Sequence, residues 1–172
     1  MFGLEAVTSP PERRMSPELI RRILMVVALA APFALSACQT SRLLEIPGVG
    51  ASDDAEDILR RIRKNEGLSV LAKDATLEKA AQEQAGLMAA SHRMEHTTSR
   101  GNDFLARIRR NGVEGAAAEN IARGNFDMER LFLAWMNSRG HRRNMLDERF
   151  TRFGLASAEA DGEHYWALVL AR

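Results

Sequence analysis

The strongest constraint on the fold is a run of apolar residues near the C-terminus, YWALVL at residues 165–170. Both the odd and the even positions of this run are apolar, whereas a strand with one face in water alternates between apolar and polar residues. The Asp161–Gly162 pair before the run is typical of a hairpin turn, and residues 152–157 predict the preceding strand. The last strand therefore needs cover on both of its faces.

Helices upstream of the hairpin supply that cover. The apolar spacing of a helix face is found at Ala55, Ile58, Leu59 and Ile62, over residues 77–91, at Phe104, Leu105 and Ile108, and at Met128, Leu131, Phe132 and Trp135. We expect caps at Asp53 or Asp54, at Asp74 and at Asn125, and helix ends at Gly67, Asn111–Gly112 and Gly140. The predicted fold class is α+β, a three-layer α-β-α sandwich around a small antiparallel sheet, to which residues 118–122 add a strand.

Side chains can be assigned from the same pattern. Trp135 completes an apolar stripe and is predicted to lie in the core. For Tyr165 and Trp166 the sequence allows two locations, in the core or in the wall of a cleft. The arginine clusters are expected on solvated faces; they are Arg107, Arg109 and Arg110, and Arg139, Arg142 and Arg143.

The N-terminal region has the pattern of an exported protein. Arg21 and Arg22 precede a charge-free apolar run over residues 23–35. A basic segment followed by a short apolar segment is typical of a secretory signal. The run is shorter than the about 20 apolar residues that a membrane helix needs. We expect a signal peptide over residues 1–37, with Met15 as an alternative start; a signal anchor or a buried helix is the alternative interpretation.

Cys38 is the single cysteine of the chain, and the sequence Leu35-Ser36-Ala37-Cys38 resembles the lipobox of bacterial lipoproteins. We expect Cys38 to be lipidated and to begin the mature chain, since two or more acyl chains anchor a protein stably to a membrane. Gln39 rather than Asp follows, which favours the outer membrane, with the protein facing the periplasm. With no second cysteine, no disulfide stabilises the domain.

The remaining chain divides into a short tether and one domain. Residues 38–52 contain Pro47, Gly48 and Gly50, which predict a disordered, lipidated tether. Residues 53–172 are enough for one domain. The formal net charge of +1 gives no reason to expect a nucleic-acid partner. We also expect a monomer.

Several short motifs occur in a fixed order. They are His96, AENIARG at residues 118–124, WMNSRGHRRNML at residues 135–146, Phe153-Gly154-Leu155 and Tyr165-Trp166. Together they resemble the bacterial branch of the CAP superfamily, also called SCP, whose names refer to cysteine-rich secretory proteins, antigen 5 and pathogenesis-related proteins. The resemblance extends over about residues 54–171 and implies the same α-β-α sandwich.

The resemblance implies a central cleft in which His96 and His141 bind a divalent metal, often zinc, with Glu119 beside them. Eukaryotic members often carry a second glutamate at the position of Ser138, so the acidic pair is incomplete here. Imidazole suits zinc, and two histidines with one glutamate would leave an open position, as a catalytic zinc site requires. Structural roles remain open for His141, as a helix N-terminal residue, and for Glu119, as an acceptor of backbone N–H groups.

A second zinc pattern competes with this one. His92, Glu95 and His96 fit H-x-x-E-H, in which both histidines would lie on one helix face. The segment lies where the helix is expected to end, and it offers no clear third ligand. We therefore favour the cleft, with His92 and Glu95 solvated.

The sequence supports two main hypotheses about function, beside a third in which the cleft is purely structural and holds no metal. In the first, an envelope-anchored binding or interaction module recognises an unknown small-molecule, lipid or envelope ligand through a metal-capable cleft. In the second, a zinc-assisted hydrolase uses His96 and His141 as ligands and Glu119 as its base or as an orienting group.

Overall fold

The computed structural model describes residues 46–172, so the predicted signal peptide, the alternative start and Cys38 lie outside the described residues. The helices are α1 (Ser52–Asn65), α2 (Ala75–Ser91), α3 (Phe104–Arg110), α4 (Met128–Asn137) and α5 (Arg139–Met145). The strands are β1 (Val49–Gly50), β2 (Ala72–Lys73), β3 (Ala117–Arg123), β4 (Arg152–Ala160) and β5 (Glu163–Ala171). No helix in this part of the chain is long and apolar enough to cross a membrane.

The sheet has the order β1-β4-β5-β3, with β2 on the same edge of β4 as β1. The β1–β4, β4–β5 and β5–β3 pairs are antiparallel. The prediction of an antiparallel sheet needs one correction, because β2 pairs with β4 in parallel. In this order β3 is left as an edge strand, and this edge is where the candidate site lies.

Strand β5 separates two cores, as its two apolar faces predict. Trp166, Leu168 and Leu170 pack on one face with side chains from α1 and α4. Tyr165 and Val169 pack on the opposite face with side chains from α2 and α3. The three-layer α-β-α sandwich is therefore confirmed. Asp161 and Gly162 form the β4–β5 turn with φ of 53° and 76°, the left-handed conformation that a tight hairpin turn requires.

The predicted helix boundaries are confirmed in part. The Asp74 carboxylate caps α2 by accepting from the N–H groups of Thr76 and Leu77 at 2.9 and 3.0 Å. Asp53 and Asp54 do not cap α1, which begins one residue earlier, at Ser52; they lie in its first turn, where the helix dipole favours negative charge.

The predicted cap and end of α4 are wrong. The cap is Asp127, whose carboxylate accepts from the Arg130 N–H at 2.8 Å, while Asn125 donates to the Gly162 carbonyl. Gly140 does not end the helix, because α4 stops at Asn137 and Gly140 lies inside α5. Asp127 was missed because Asn125 fits the same capping chemistry two residues earlier.

The last part of the predicted tether is ordered, which corrects the expectation of disorder up to residue 52. Val49 and Gly50 pair with β4 as strand β1, and Ile46 packs against the core beside α2. A Cβ at Gly48 would lie 2.6 Å from the Gln82 Cα, so the segment runs in backbone contact with α2. The glycines that predicted flexibility instead allow this close approach.

Gly86 on α2 gives a test of this docked segment. A Cβ at Gly86 would overlap the Ile46 carbonyl oxygen, and its other near neighbours also belong to residues 46–48. We expect Gly86→Ala to destabilise a chain that begins at residue 39. In a chain that begins at residue 51 the same change should add up to about 1 kcal/mol, since alanine is the better helix former. Urea unfolding of the four proteins measures both effects, and an effect of the same sign in both backgrounds would contradict the docking.

Candidate functional site

The candidate site lies at the free edge of β3. Gly124 N–H donates to the His164 carbonyl and Arg172 N–H to the Ala116 carbonyl, so the even-numbered residues of β3 direct their backbone groups at β5. The odd-numbered residues, including Glu119 and Ile121, direct theirs at the open edge. Side chains from two helices cover this edge: Trp135 Nε1 donates to the Ile121 carbonyl at 3.2 Å, and Asn144 Nδ2 lies 3.4 Å from the Glu119 carbonyl oxygen.

One wall of the cleft is built on the Glu119 side chain, which is 2% exposed. Arg107 Nη2 donates to both carboxylate oxygens, at 2.9 and 2.7 Å, and the Arg107 side chain is 1% exposed. His96 Nδ1 lies 2.8 Å from Glu119 Oε1. The carboxylate is therefore held by a buried guanidinium on one side and by the His96 ring on the other.

The contact with Glu119 fixes which His96 nitrogen faces the cleft. A carboxylate only accepts hydrogen bonds, so the Nδ1 that faces it carries a proton and donates. In the neutral ring Nε2 then presents a lone pair. The His96 side chain is 53% exposed, so this lone pair is accessible to a ligand. A histidine oriented by a carboxylate in this way is the usual arrangement behind a metal ligand.

The opposite wall of the cleft, formed by α5, is held by Asn120, the next residue of β3. Adjacent strand residues point to opposite faces of a sheet, so Asn120 points at α5 while Glu119 points at α3. Asn120 Nδ2 donates to the His141 carbonyl at 3.1 Å, and Asn144 Nδ2 donates to Asn120 Oδ1 at 2.9 Å. Two adjacent residues of β3 therefore hold the two walls of the cleft. Glu119 holds the wall that contains Arg107 and His96, and Asn120 holds the wall formed by α5.

The His141 ring lies close enough to His96 for the two side chains to interact electrostatically. Partial burial lowers the pKa of His141, and the charge of a protonated His96 lowers that pKa further. The structure records no hydrogen bond from the His141 ring to any residue in the range 46–172. The native fold therefore favours the neutral ring, which is the form that binds a metal.

This pKa shift predicts an acid-sensitive stability. The native pKa of His141 lies below its unfolded value, so the unfolded chain takes up the proton first as the pH falls. The contribution of His141 is complete above about pH 6.5 and is lost as the pH falls through the lower native pKa. We expect metal-free His141→Gln to lose less stability than the wild type between neutral pH and pH 5, measured by urea unfolding. Parallel profiles for the two proteins would contradict the shift.

Arg107 is the site residue that the sequence analysis missed, since it was expected on a solvated face. It is instead among the largest fully buried side chains of the domain. Besides binding Glu119, its Nη1 donates to the backbone carbonyls of His96 and Asn102 at 2.9 and 2.6 Å. The available signal was its position one residue before Ile108 on the buried side of a short helix, which separates it from the exposed Arg109 and Arg110.

The H-x-x-E-H pattern does not form a site. Helix α2 ends at Ser91, and His92 caps it with a left-handed φ of 53°, so His92 and His96 do not share a helix face. The His92 ring lies 3.1 Å from the Asp161 carboxylate instead. The Glu95 carboxylate accepts from Arg93 at 2.7 Å. His92 and Glu95 are therefore exposed side chains, as expected.

The structure also gives the positions of Ser138, Trp166 and Tyr165. Ser138 precedes α5 but makes no side-chain capping hydrogen bond. Trp166 and Tyr165 both belong to the core, on opposite faces of the sheet. Trp166 Nε1 donates to the Gly124 carbonyl at 3.0 Å, whereas the buried Tyr165 hydroxyl has no partner among the described residues.

The imidazoles of His96 and His141 are the side chains of this region that could hold a metal. Both Glu119 oxygens are already engaged, and residues 46–172 contain no group of three His, Cys, Asp or Glu side chains placed to hold a metal ion. Structural zinc sites use four protein ligands and catalytic ones use three. A metal held by His96 and His141 would therefore need further donors from water or from a bound ligand.

Comparison with known proteins supports the family resemblance. The sequence model of the cysteine-rich secretory protein family, CAP, matches residues 57–170. The uncharacterized protein YkwD of Bacillus subtilis is 33% identical over 99 residues, which are 57% of this chain and 38% of YkwD. The chain thus spans well under half of that relative.

Solved structures show the same fold. An extracellular protein of Bacillus anthracis that contains an SCP domain superposes with a TM-score of 0.62 at 27% identity, over 70% of this chain and 39% of that one. An outer surface protein of Borrelia burgdorferi also superposes with a TM-score of 0.62, at 22% identity, over 73% of this chain and 98% of that one. Since the family match covers most of the described residues, including both walls of the cleft, the chain belongs to the cysteine-rich secretory protein (CAP) family.

Proposed function

We propose that this protein is an envelope-anchored CAP-domain lipoprotein that binds a ligand in the cleft between His96 and His141. It acts as a binding module, with the two imidazoles as the groups that meet the ligand or a metal such as zinc. The ligand is a small molecule, a lipid or a component of the envelope.

The observation that carries this proposal is the engagement of the Glu119 carboxylate. Both of its oxygens accept from the buried Arg107, and Oε1 also faces His96. A general base has to reach the proton that it removes, directly or through one water. Glu119 is 2% exposed and is turned toward Arg107, so it orients His96 rather than serving as a base.

The same observation weighs against the zinc-assisted hydrolase. That mechanism needs a carboxylate free to activate water, and Ser138 stands where eukaryotic members of the family often carry a second glutamate. A zinc ion bound by the cleft would supply Lewis acidity. His96 would bind it through Nε2 and His141 through a ring nitrogen. Glu119 and Arg107 would hold the His96 ring in place.

The envelope location rests on the sequence before residue 46. The basic pair, the short apolar run and the Leu-Ser-Ala-Cys tetrapeptide support export and lipidation at Cys38. Similar domains occur in an extracellular protein and in an outer surface protein of other bacteria. Gln39 after the cysteine favours the outer membrane, with the domain facing the periplasm.

The zinc part of the proposal is tested on a chain that begins at residue 39. Zinc should raise the melting temperature of the wild type, because a ligand that binds the native state stabilises it. His96→Ala and His141→Ala should each remove the shift. The shift should also weaken below about pH 6.5, where imidazoles become protonated.

His92→Ala is the matched control, since its ring is exposed and pairs with Asp161 outside the cleft. It should leave the zinc shift unchanged. A shift that requires His92 but not His141 would move the site to the H-x-x-E-H segment. A panel of hydrolase substrates, assayed with and without chelator, should show no chelator-sensitive turnover; such turnover would favour the hydrolase.

Lipidation is tested by Cys38→Ser in the full chain. The variant should lose labelling by fatty acid and should not be cleaved before residue 38. If it were still labelled and cleaved there, the lipoprotein proposal would be wrong.

A further inference from the structure

We infer that Arg107 is the positioning residue of the cleft: it holds the Glu119 carboxylate away from the ligand and thereby fixes the His96 ring with Nε2 outward. This inference rests on the proposed function, since it describes how the imidazole that meets the ligand is prepared.

Arg107 joins separate parts of the chain at one guanidinium. Nη2 donates to both oxygens of Glu119 on β3. Nη1 donates to the carbonyls of His96 and Asn102, both of which lie in the segment between α2 and α3. The backbone of His96 and the partner of its ring are therefore set by the same side chain.

These contacts depend on the shape of the arginine side chain. A guanidinium is planar and presents several N–H groups in fixed directions, so it can serve a carboxylate and two carbonyls together. A lysine carries its charge on one flexible nitrogen and cannot reproduce this fork. The side chain is 1% exposed, so a misplaced donor could not be replaced freely by water.

The arrangement limits what the cleft can offer a ligand. The negative charge of Glu119 is compensated by Arg107, and its oxygens are turned inward. The hydrogen bond from Nδ1 leaves Nε2 as the accessible acceptor of His96. Because of Arg107, this wall offers a ligand the imidazole of His96 rather than the carboxylate of Glu119. Arg107 itself touches no ligand.

The test compares Arg107→Lys and Arg107→Met with the wild type by two readouts. Nitrogen NMR of the metal-free protein, at a pH where the ring is neutral, reports which His96 nitrogen carries the proton. We expect Nδ1–H in the wild type and a mixture of the two tautomers in the variants. Zinc affinity should fall about 10- to 100-fold, as it does when the partner of a metal-bound histidine is lost.

Arg109→Met is the matched control, because Arg109 lies on the same helix and is exposed with no ion pair among the described residues. It removes the same charge and should change neither readout. A folded Arg107→Lys protein with the wild-type His96 tautomer would overturn the inference, whatever its zinc affinity.

The wild type alone can still overturn the inference if both variants fail to fold. A wild-type His96 proton on Nε2 would show that Glu119 does not accept from Nδ1, and the inference would be wrong. If the wild type has the expected tautomer and the variants change it, but zinc does not bind, the metal part of the proposed function fails while the role of Arg107 stands.

Discussion

Trp135→Ala is expected to lower the free energy of unfolding by roughly 3–5 kcal/mol, as for other large aromatic residues removed from a core. The indole is 1% exposed and meets the Phe132 ring edge-on, with the ring centroids 5.4 Å apart. Its removal leaves a cavity between α4 and the sheet. It also leaves the Ile121 carbonyl, at the edge of β3, without its indole donor. Urea or thermal unfolding of the soluble domain measures the loss.

Trp135→Phe separates the two contributions. It keeps most of the ring volume but cannot donate to the Ile121 carbonyl, so it should cost about 1–3 kcal/mol. A Trp135→Ala protein that melted close to the wild type but lost zinc binding would mean that the indole serves the ligand rather than the core.

The layered fold could be predicted because its signal lies in short, continuous segments. The apolar residues on both faces of β5 require two covering layers, and they pack into two separate cores as expected. The Asp161–Gly162 pair predicted the hairpin turn. The burial of Trp135 was predicted from its place among the apolar residues on one face of α4. Each of these inferences depends on residues that are neighbours in sequence.

The strands β1 and β2 could not be predicted in the same way. Each has two residues, which is too short for a period of two to be recognised. Their pairing with β4 depends on contacts with residues far away in the sequence. Ile46, Gly48 and Gly50 look like a linker in isolation, and their packing against α2 becomes visible only when the glycines are seen in contact with the helix.

The candidate site was predicted residue by residue but not as a network. His96, Glu119 and His141 were proposed from the family resemblance, and the structure brings His96 and Glu119 into direct contact. The role of Arg107 was not predicted, since an arginine in a basic cluster is usually solvated. The alternation of Glu119 and Asn120 across β3 explains physically why the two residues occur together in the motif.

Gly154→Ala is expected to destabilise the domain by at least about 3 kcal/mol, at the upper end of the cost of overpacking. Gly154 lies in β4, and a Cβ there would lie 2.5 Å from the Glu78 Cα and overlap backbone atoms of Leu77 and Glu78. These atoms belong to the first turn of α2, so a rotamer change cannot make room for the methyl group. The helix would have to move off the sheet.

The matched control is Gly140→Ala, the same change inside α5, where a Cβ would meet nothing within 4 Å. It should be neutral or should add up to about 1 kcal/mol, because alanine is the better helix former. The opposite signs test the claim that the glycine of Phe153-Gly154-Leu155 is required for the contact between α2 and the sheet. If Gly154→Ala were as mild as Gly140→Ala, α2 could shift at little cost. The layer that carries the His96 segment would then be held by side-chain contacts, such as the ion pair of Arg107 and Glu119, rather than by close backbone packing.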